Sequence, residues 1–415
     1  MALPIVDLFA GCGGLSLGLE RAGFKPVFVN ELHPNAMSTY LLNRPHLDLG
    51  RPKNNANDIL EITQKPGELD ALASRLQAEH GEIGLVVGGP PCQGFSGIGH
   101  RRSFDIKKED IPSNYLYREM AKVIEAVAPR AFVFENVRGL LNSKWTPEGE
   151  KGEIWEDVQK AFRSIKVKIG GSEYGYAISS QLVQAKQYGV PQNRPRIIMI
   201  GIRSDITFDN ARSKVANGLI PEPTNDWPDL IDYLGDLVDN DWVPGGSTER
   251  YVVEPQNQWQ LGLRTLPGGE VLGVGARLTD QEYSNHDPAI IEKFRYMIAN
   301  GGAIPESMKT KKFAQRVLPA RWDERGPTIT ATSLADDYVH FALPRVPTVR
   351  EWARLQTFPD WYQFSGRRTT GGRRRAGDPS IGDWSRDLPK YTQIGNAVPV
   401  KLAEAIGRHL IEIIS

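Results

Sequence analysis

Leu85-Val86-Val87-Gly88-Gly89-Pro90-Pro91-Cys92-Gln93-Gly94-Phe95-Ser96 is the stretch on which the fold turns. Its apolar start reads as a buried strand. Gly-Gly-Pro-Pro ends that strand, because proline lacks the amide hydrogen that a helix or a sheet ladder needs. Cys92 follows at once and is one of two cysteines in the chain. A nucleophile must be reachable and held by backbone, and a thiol at an abrupt strand tip meets both needs. A lone cysteine is more often a packed core residue; the paired glycines and prolines before this one favour the tip.

Three further apolar runs end alike. Ala131-Phe132-Val133-Phe134 closes on Glu135-Asn136-Val137, Ile5-Val6 on Asp7-Leu8-Phe9, and Val27-Phe28-Val29 on Asn30-Glu31. Parallel strands would deliver all four endings to one sheet edge, where open α/β sheets collect ligands. Residues 1–205 alternate such runs with helical stretches, Leu15–Ala22 closed by Gly23 and Tyr117–Val127 stopped by Pro129. The expected fold class is α/β, a Rossmann-like doubly wound sheet. From 206 to 386 the chain turns to Gly, Pro, Asn and Trp, with one clear helix near Ala289–Ala299. This predicts a smaller, irregular second domain carrying an Arg/Gly-rich insertion over 366–386. Helical periodicity returns at Val400–Ile414, and 387–415 is expected to complete the first domain.

Gly11, Gly13 and Gly14 follow the first strand and open a helix, a backbone able to approach a ligand closely. Glu31 stands about 20 residues on, at the end of the next strand, where a carboxylate can take a ribose diol. A dinucleotide would use the same geometry, although Ser16 occupies the place of that pattern's third glycine. Lysine plus arginine number 50 and aspartate plus glutamate 50, so any nucleic-acid contact rests on local clusters. The cysteines Cys12 and Cys92 suit neither a zinc site nor a disulfide framework, which fits a reducing compartment. No metal site is expected. No run approaches the roughly 20 apolar residues of a membrane span. The start of the chain enters a strand directly, so no signal peptide is expected.

Six motifs occur in order: DLFAGCGGLSLGLERAGF (7–24), GGPPCQGFS (88–96), FENVRGLL (134–141), YGVPQNRPRIIMIG (188–201), VREWARLQTFPD (349–360) and QIGNAVP (393–399). Together they closely resemble the DNA cytosine-5 methyltransferases of bacterial restriction-modification type. The resemblance implies S-adenosylmethionine as cofactor. Phe9 and Leu32 would sandwich its adenine, Asp58 and Ile59 reach its edge, and Glu31 hold its ribose. Asp7, Gly11, Gly13, Gly14, Pro91, Asn396 and Val398 would complete the cofactor side. It further implies that Cys92 attacks C6 of a flipped-out cytosine, with a protonated Glu135 assisting at N3.

Arg194 and Arg196 alternate along an extended segment, so both are expected on one face, favouring the thiolate. Residues 97–112 read as a closing loop, with Arg101 and Arg102 gripping phosphates. Gln93, Ser96, Asn136 and Gln192 are expected at the DNA. Five arginines within 367–375, Arg373, Arg374 and Arg375 among them, suit a phosphate backbone. The implied partner is double-stranded DNA, met by a monomer in the cytoplasm at the nucleoid. Transfer RNA is the rival substrate, but a recognition region of roughly 140 residues points to DNA. RGPTITA (325–331) resembles the family's threonine element.

Overall fold

The computed structural model describes residues 2–91, 112–206, 218–224, 227–309, 315–321, 326–329, 337–369 and 387–415. Its first nine strands, in chain order, are β1 (Leu3–Leu8), β2 (Phe24–Asn30), β3 (Asn55–Ala56), β4 (Leu85–Gly88), β5 (Ala131–Val137), β6 (Val167–Ile169), β7 (Ser172–Tyr174), β8 (Tyr176–Gln184) and β9 (Pro195–Arg203). Seven of them form one sheet in the order β3-β2-β1-β4-β5-β9-β8. The first five run parallel, and β9 and β8 are antiparallel to their neighbours. Strand order reverses between β1 and β4, which opens a crevice beyond their carboxyl ends.

The parallel strands are buried on both faces, as uninterrupted apolar runs require. Ile5, Val6, Val86, Val87, Phe132 and Val133 are all fully buried. Helices α1 (Gly14–Arg21), α2 (Pro34–Leu42), α3 (Leu60–Thr63), α4 (Glu68–His80), α5 (Leu116–Val127) and α6 (Glu153–Arg163) punctuate the strands. Met120, Val123 and Ile124 of α5 join Ile154, Val158 and Phe162 of α6 in the core beside the sheet. Phe162 packs on Phe132 and Phe134 with ring centroids 5.2 Å from each. Burial of each such ring is worth about 2–3 kcal/mol.

The chain divides into two compact units. The first holds residues 1–184, 195–223 and 402–415; the second holds 185–194 and 224–401. These limits differ from the sequence expectation. Residues 185–194 leave the first domain, and the return to it begins at 402, within the last helix (Val400–Ile414), where Arg21 meets Glu404 at 3.8 Å.

The second unit is held by buried charge as much as by apolar packing. Arg354 donates to Asp360 (Nε to Oδ1, 2.9 Å) and to Asp236 (Nη2 to Oδ2, 3.1 Å), and Arg264 also reaches Asp236 at 3.2 Å. Tyr251 donates to Asp360 at 2.7 Å. Buried ions persist only when paired and hydrogen-bonded in this way. The helix Val349–Leu355 starts with a capping box, Thr348 with Glu351, and Glu351 also takes Arg345 in a two-pronged pair.

Candidate active site

The cofactor edge is built by turns that only certain residues tolerate. Phe9 (φ 54°), Gly11 (φ 56°) and Gly13 (φ 84°) all adopt left-handed backbone. That conformation turns the chain from β1 into the start of α1, whose free amides suit a polar ligand. Glu31 ties this loop down: its Oε2 accepts from the Gly11 amide at 2.8 Å and its Oε1 from the His33 amide at 2.7 Å. Burial raises its carboxyl above the ordinary range, and these two amides hold the rise back. Next to it Leu32 is 68% exposed, an apolar side chain left in water at the sheet edge.

Two residues not assigned a role from the sequence organise this edge. The Asn30 amide nitrogen donates to the carbonyls of Ala56 (3.1 Å) and Asn57 (2.9 Å), while its oxygen accepts from Phe9 N at 3.4 Å. It therefore fixes the ends of three strands together. Arg44, buried, reaches Gly13 O (3.2 Å) and Glu20 (2.7 Å) with its guanidinium over the Tyr40 ring. No local pattern marks it, because its partners lie in other elements.

Of the cofactor expectations, that for Asp7 is corrected, and Ile59 and Asp58 gain local contacts. Asp7 is fully buried and accepts from Ser16 Oγ, with Tyr40 OH 2.8 Å from that hydroxyl. Its carboxyl lies beneath the glycine loop, not at the ligand surface. Ile59 packs its side chain into the core. Asp58 accepts from the Leu60 amide at 2.9 Å, next to the two-residue strand β3 that pairs with β2. Cys12 is also buried, and burial pushes its thiol up to about 12, which removes it as a nucleophile.

Along the same sheet edge, the exit of β4 lies beside that of β5. A Cβ on Gly89 would stand 2.9 Å from Glu135 Oε2, so a larger residue there would push on that carboxylate. Asn136 Nδ2 donates to Pro90 O at 3.1 Å and anchors the Pro-Pro turn. Glu135 pairs with Arg196 across β5 and β9, Nε to Oε1 at 2.7 Å, a charge contact between two nearly buried groups. The described chain reaches Pro91 here. Cys92, Gln93, Ser96, Arg101, Arg102, Arg373, Arg374 and Arg375 lie outside the described residues.

Arg194 and Arg196 do not act as a pair on one face. Arg194 belongs to the second unit, where its buried guanidinium donates to Ile329 O, Gly395 O (2.9 Å) and Ala397 O (2.9 Å). Gln192 is likewise buried: its amide donates to Leu355 O (2.7 Å) and Gln356 Oε1 (2.8 Å) and accepts from Ile329 N (3.2 Å). Those contacts leave it no surface for DNA. Asn136 is buried too and serves the turn. Thr328 of the threonine element donates to Asn193 O at 2.6 Å. Asn396, exposed, and Val398, buried, close the helix Lys390–Asn396 in the second unit. Among the described residues no group of three His, Cys, Asp or Glu could hold a metal ion, and no helix is long and apolar enough to cross a membrane.

A parallel sheet with a glycine loop answered by an acidic strand end, and an antiparallel β9 beyond β5, is the frame of the class I methyltransferases. The match extends to a particular family. The family model for C-5 cytosine-specific DNA methylase matches residues 3–412, and the chain belongs to that family. It is 31% identical to the Type II methyltransferase M.PspPI of Psychrobacter, over 99% of this chain and 79% of that protein. It is 29% identical to M.DdeI of Desulfomicrobium norvegicum, over 98% and 88%. A solved structure assigned as an E. coli prophage DNA modification methyltransferase superposes with a TM-score of 0.66 at 22% identity, covering 99% of both chains. S. pombe Dnmt2 gives 0.52 at 17%, covering 99% and 98%, a likeness of fold. The protein is a DNA cytosine-5 methyltransferase that uses a methyl-donor cofactor.

Proposed function

We propose that the donor is S-adenosylmethionine, that the substrate is a specific sequence in double-stranded DNA, and that the first unit is catalytic and the second, with the segments beside it, recognises the target. The reading is supported by one observation above others: Asn136 anchors the Pro90-Pro91 turn beside the Glu135–Arg196 pair, and Cys92 is the next residue in the sequence. The glycine loop fits the cofactor. Gly11 has open space where a Cβ would stand, each Glu31 oxygen keeps lone pairs for a diol, and Leu32 offers an uncovered apolar face to a purine beside Phe9. When bound, the cofactor supplies the methyl group that C5 of the cytosine takes up.

The chain's own groups prepare that carbon. C5 of cytosine is weakly nucleophilic, so the Cys92 thiolate adds to C6 and shifts electron density onto the ring. Glu135 supplies a proton or hydrogen bond at N3, where the negative charge collects. Arg196 holds the Glu135 carboxyl in place from the neighbouring strand and keeps positive charge at the site. After C5 is methylated, a base removes the C5 proton, the C6–S bond breaks, and the aromatic ring and the thiolate return. Inside a duplex neither face of the ring is reachable, so the base must be flipped out. The curated relatives are Type II methyltransferases, which supports a role in a bacterial restriction-modification system.

The test is a duplex with 5-fluorocytosine at the target. Fluorine cannot leave as a proton does, so mass spectrometry should find a covalent adduct on the Cys92 peptide. An active enzyme that forms no such adduct refutes attack by Cys92. Bisulfite sequencing of DNA from cells expressing the protein should show 5-methylcytosine in one sequence context.

A further inference from the structure

The second unit carries a short irregular ribbon, two antiparallel segments joined at isolated bridges, Ser247 with Glu282 and Arg250 with Arg277. Tyr251 N donates to Ala276 O (3.1 Å) and Leu278 N to Glu249 O (2.8 Å), which places Arg250 directly opposite Arg277. That register is the non-hydrogen-bonded pair, in which facing side chains come closest. Tyr251 and Leu278 point to the other side, into an apolar cluster with Leu237. The ribbon therefore buries one face and presents two arginines side by side on the other, both exposed.

Like charges directly opposite destabilise a strand pair. Among the described residues neither arginine has an ion pair: Arg250 donates to Gly275 O at 2.7 Å, and Arg277 has no partner. The same face opens on a groove of about 490 Å³ lined also by Thr248, Glu249, Glu282 and Gln363. The other charged lining groups, Asp280 and Lys390, neutralise each other at 2.6 Å. Two arginines, two glutamates and neutral hydroxyl and amide groups make a mixed set of donors and acceptors. A phosphate track needs donors alone, since phosphate oxygens only accept, and carboxylates would repel it. Base edges in the major groove present both donors and acceptors, and that groove admits a two-stranded ribbon.

We propose that this ribbon reads the target sequence, with Arg250 and Arg277 each donating to the O6 and N7 edge of a guanine. The inference rests on the reading of the protein as a sequence-specific DNA methyltransferase. Guanine suits an exposed guanidinium with no carboxylate partner, whose planar fork matches two acceptors at once. The acidic neighbours accept from base amino groups and discourage docking on phosphate.

The experiment uses the full chain and a duplex library randomised around cytosines, read by bisulfite sequencing. Wild-type protein should methylate one context. Arg250→Ala and Arg277→Ala, which alter exposed side chains and should melt like wild type, should each relax the requirement for a guanine at one position by about ten- to a hundredfold. Cofactor affinity and the salt dependence of DNA binding should stay unchanged. Arg277→Lys should not restore the selectivity, because an ammonium lacks the fork. Weakening on all sequences alike, with a flatter salt slope and rescue by lysine, would make these phosphate contacts and overturn the proposal. An unchanged site and affinity would make the ribbon a solvated face and overturn it equally. A wild-type protein that methylates no cytosine would sink the functional reading, and this inference with it.

Discussion

Asp7→Asn removes a charge from beneath the glycine loop while keeping the shape of the side chain. Asp7 is fully buried at the end of β1, its Oδ2 accepts from Ser16, and its Oδ1 has no hydrogen-bond partner among the described residues. Burial raises its pKa from 3.8 to about 7, against the opposing pull of the Ser16 hydrogen bond and the Arg44 charge. Below about pH 4 both folded and unfolded chains hold the proton. Between about 4 and 7 the unfolded chain releases it and the folded chain keeps it, so stability falls as pH rises. Above 7 both are ionised, and the folded state carries the whole cost of a buried carboxylate. A rise of about three pH units at about 1.4 kcal/mol each amounts to about 4 kcal/mol. Asparagine carries no charge at any pH and can still accept from Ser16. The variant should therefore be more stable than wild type at pH 8, by up to about 4 kcal/mol, with the difference fading toward pH 5. Urea denaturation of both proteins at pH 5, 6.5 and 8 measures this. Parallel stability curves, or a variant less stable at pH 8, would refute an ionised Asp7 as a buried, poorly partnered charge.

Glu135→Gln should lower the methylation rate constant by about 10²–10⁴ while the cofactor dissociation constant stays within twofold, since the amide cannot donate a proton as an acid does; a loss under tenfold in single-turnover assays contradicts the role. Glu31→Ala should weaken cofactor binding in calorimetry first, because it removes both the diol acceptor and the tether on Gly11, and unchanged affinity sinks that assignment. Arg194→Met should act on folding: it leaves the buried carbonyls of Ile329 and Gly395 without a donor at about 1–3 kcal/mol each, while Ala397 O keeps Gln356, so the melting temperature must drop, and a stable but slow enzyme would return Arg194 to the chemistry. Replacing Arg373, Arg374 and Arg375 together by alanine should weaken binding to all DNA alike and leave the methylated site unchanged in sequencing. The log–log salt slope should flatten by about 0.9 for each phosphate that is no longer neutralised.

The strands, the loops at their ends and the residues those loops carry can be read from the sequence alone. Apolar runs and glycine or proline stops are local signals, set by burial and by backbone geometry within a few residues. So β1, β2, β4 and β5 lie where their runs lie, and Phe9, Gly11, Glu31 and Glu135 come to strand ends. Alternation along a strand shows which side chains share a face, but not which neighbour they meet. That is why Arg194 and Arg196 look equivalent in the sequence, while pairing of β5 with β9 gives only Arg196 to Glu135, and Arg194 spans carbonyls from residues 329 to 397. The burial of Gln192 escapes a sequence reading for the same reason, since its partners lie more than 130 positions away. The buried Asp7, Arg44 at the glycine loop, and the two opposed arginines of the ribbon exist only once distant segments pack. Burial of a charge and closeness of like charges are properties of the fold, because both depend on what surrounds a side chain in space.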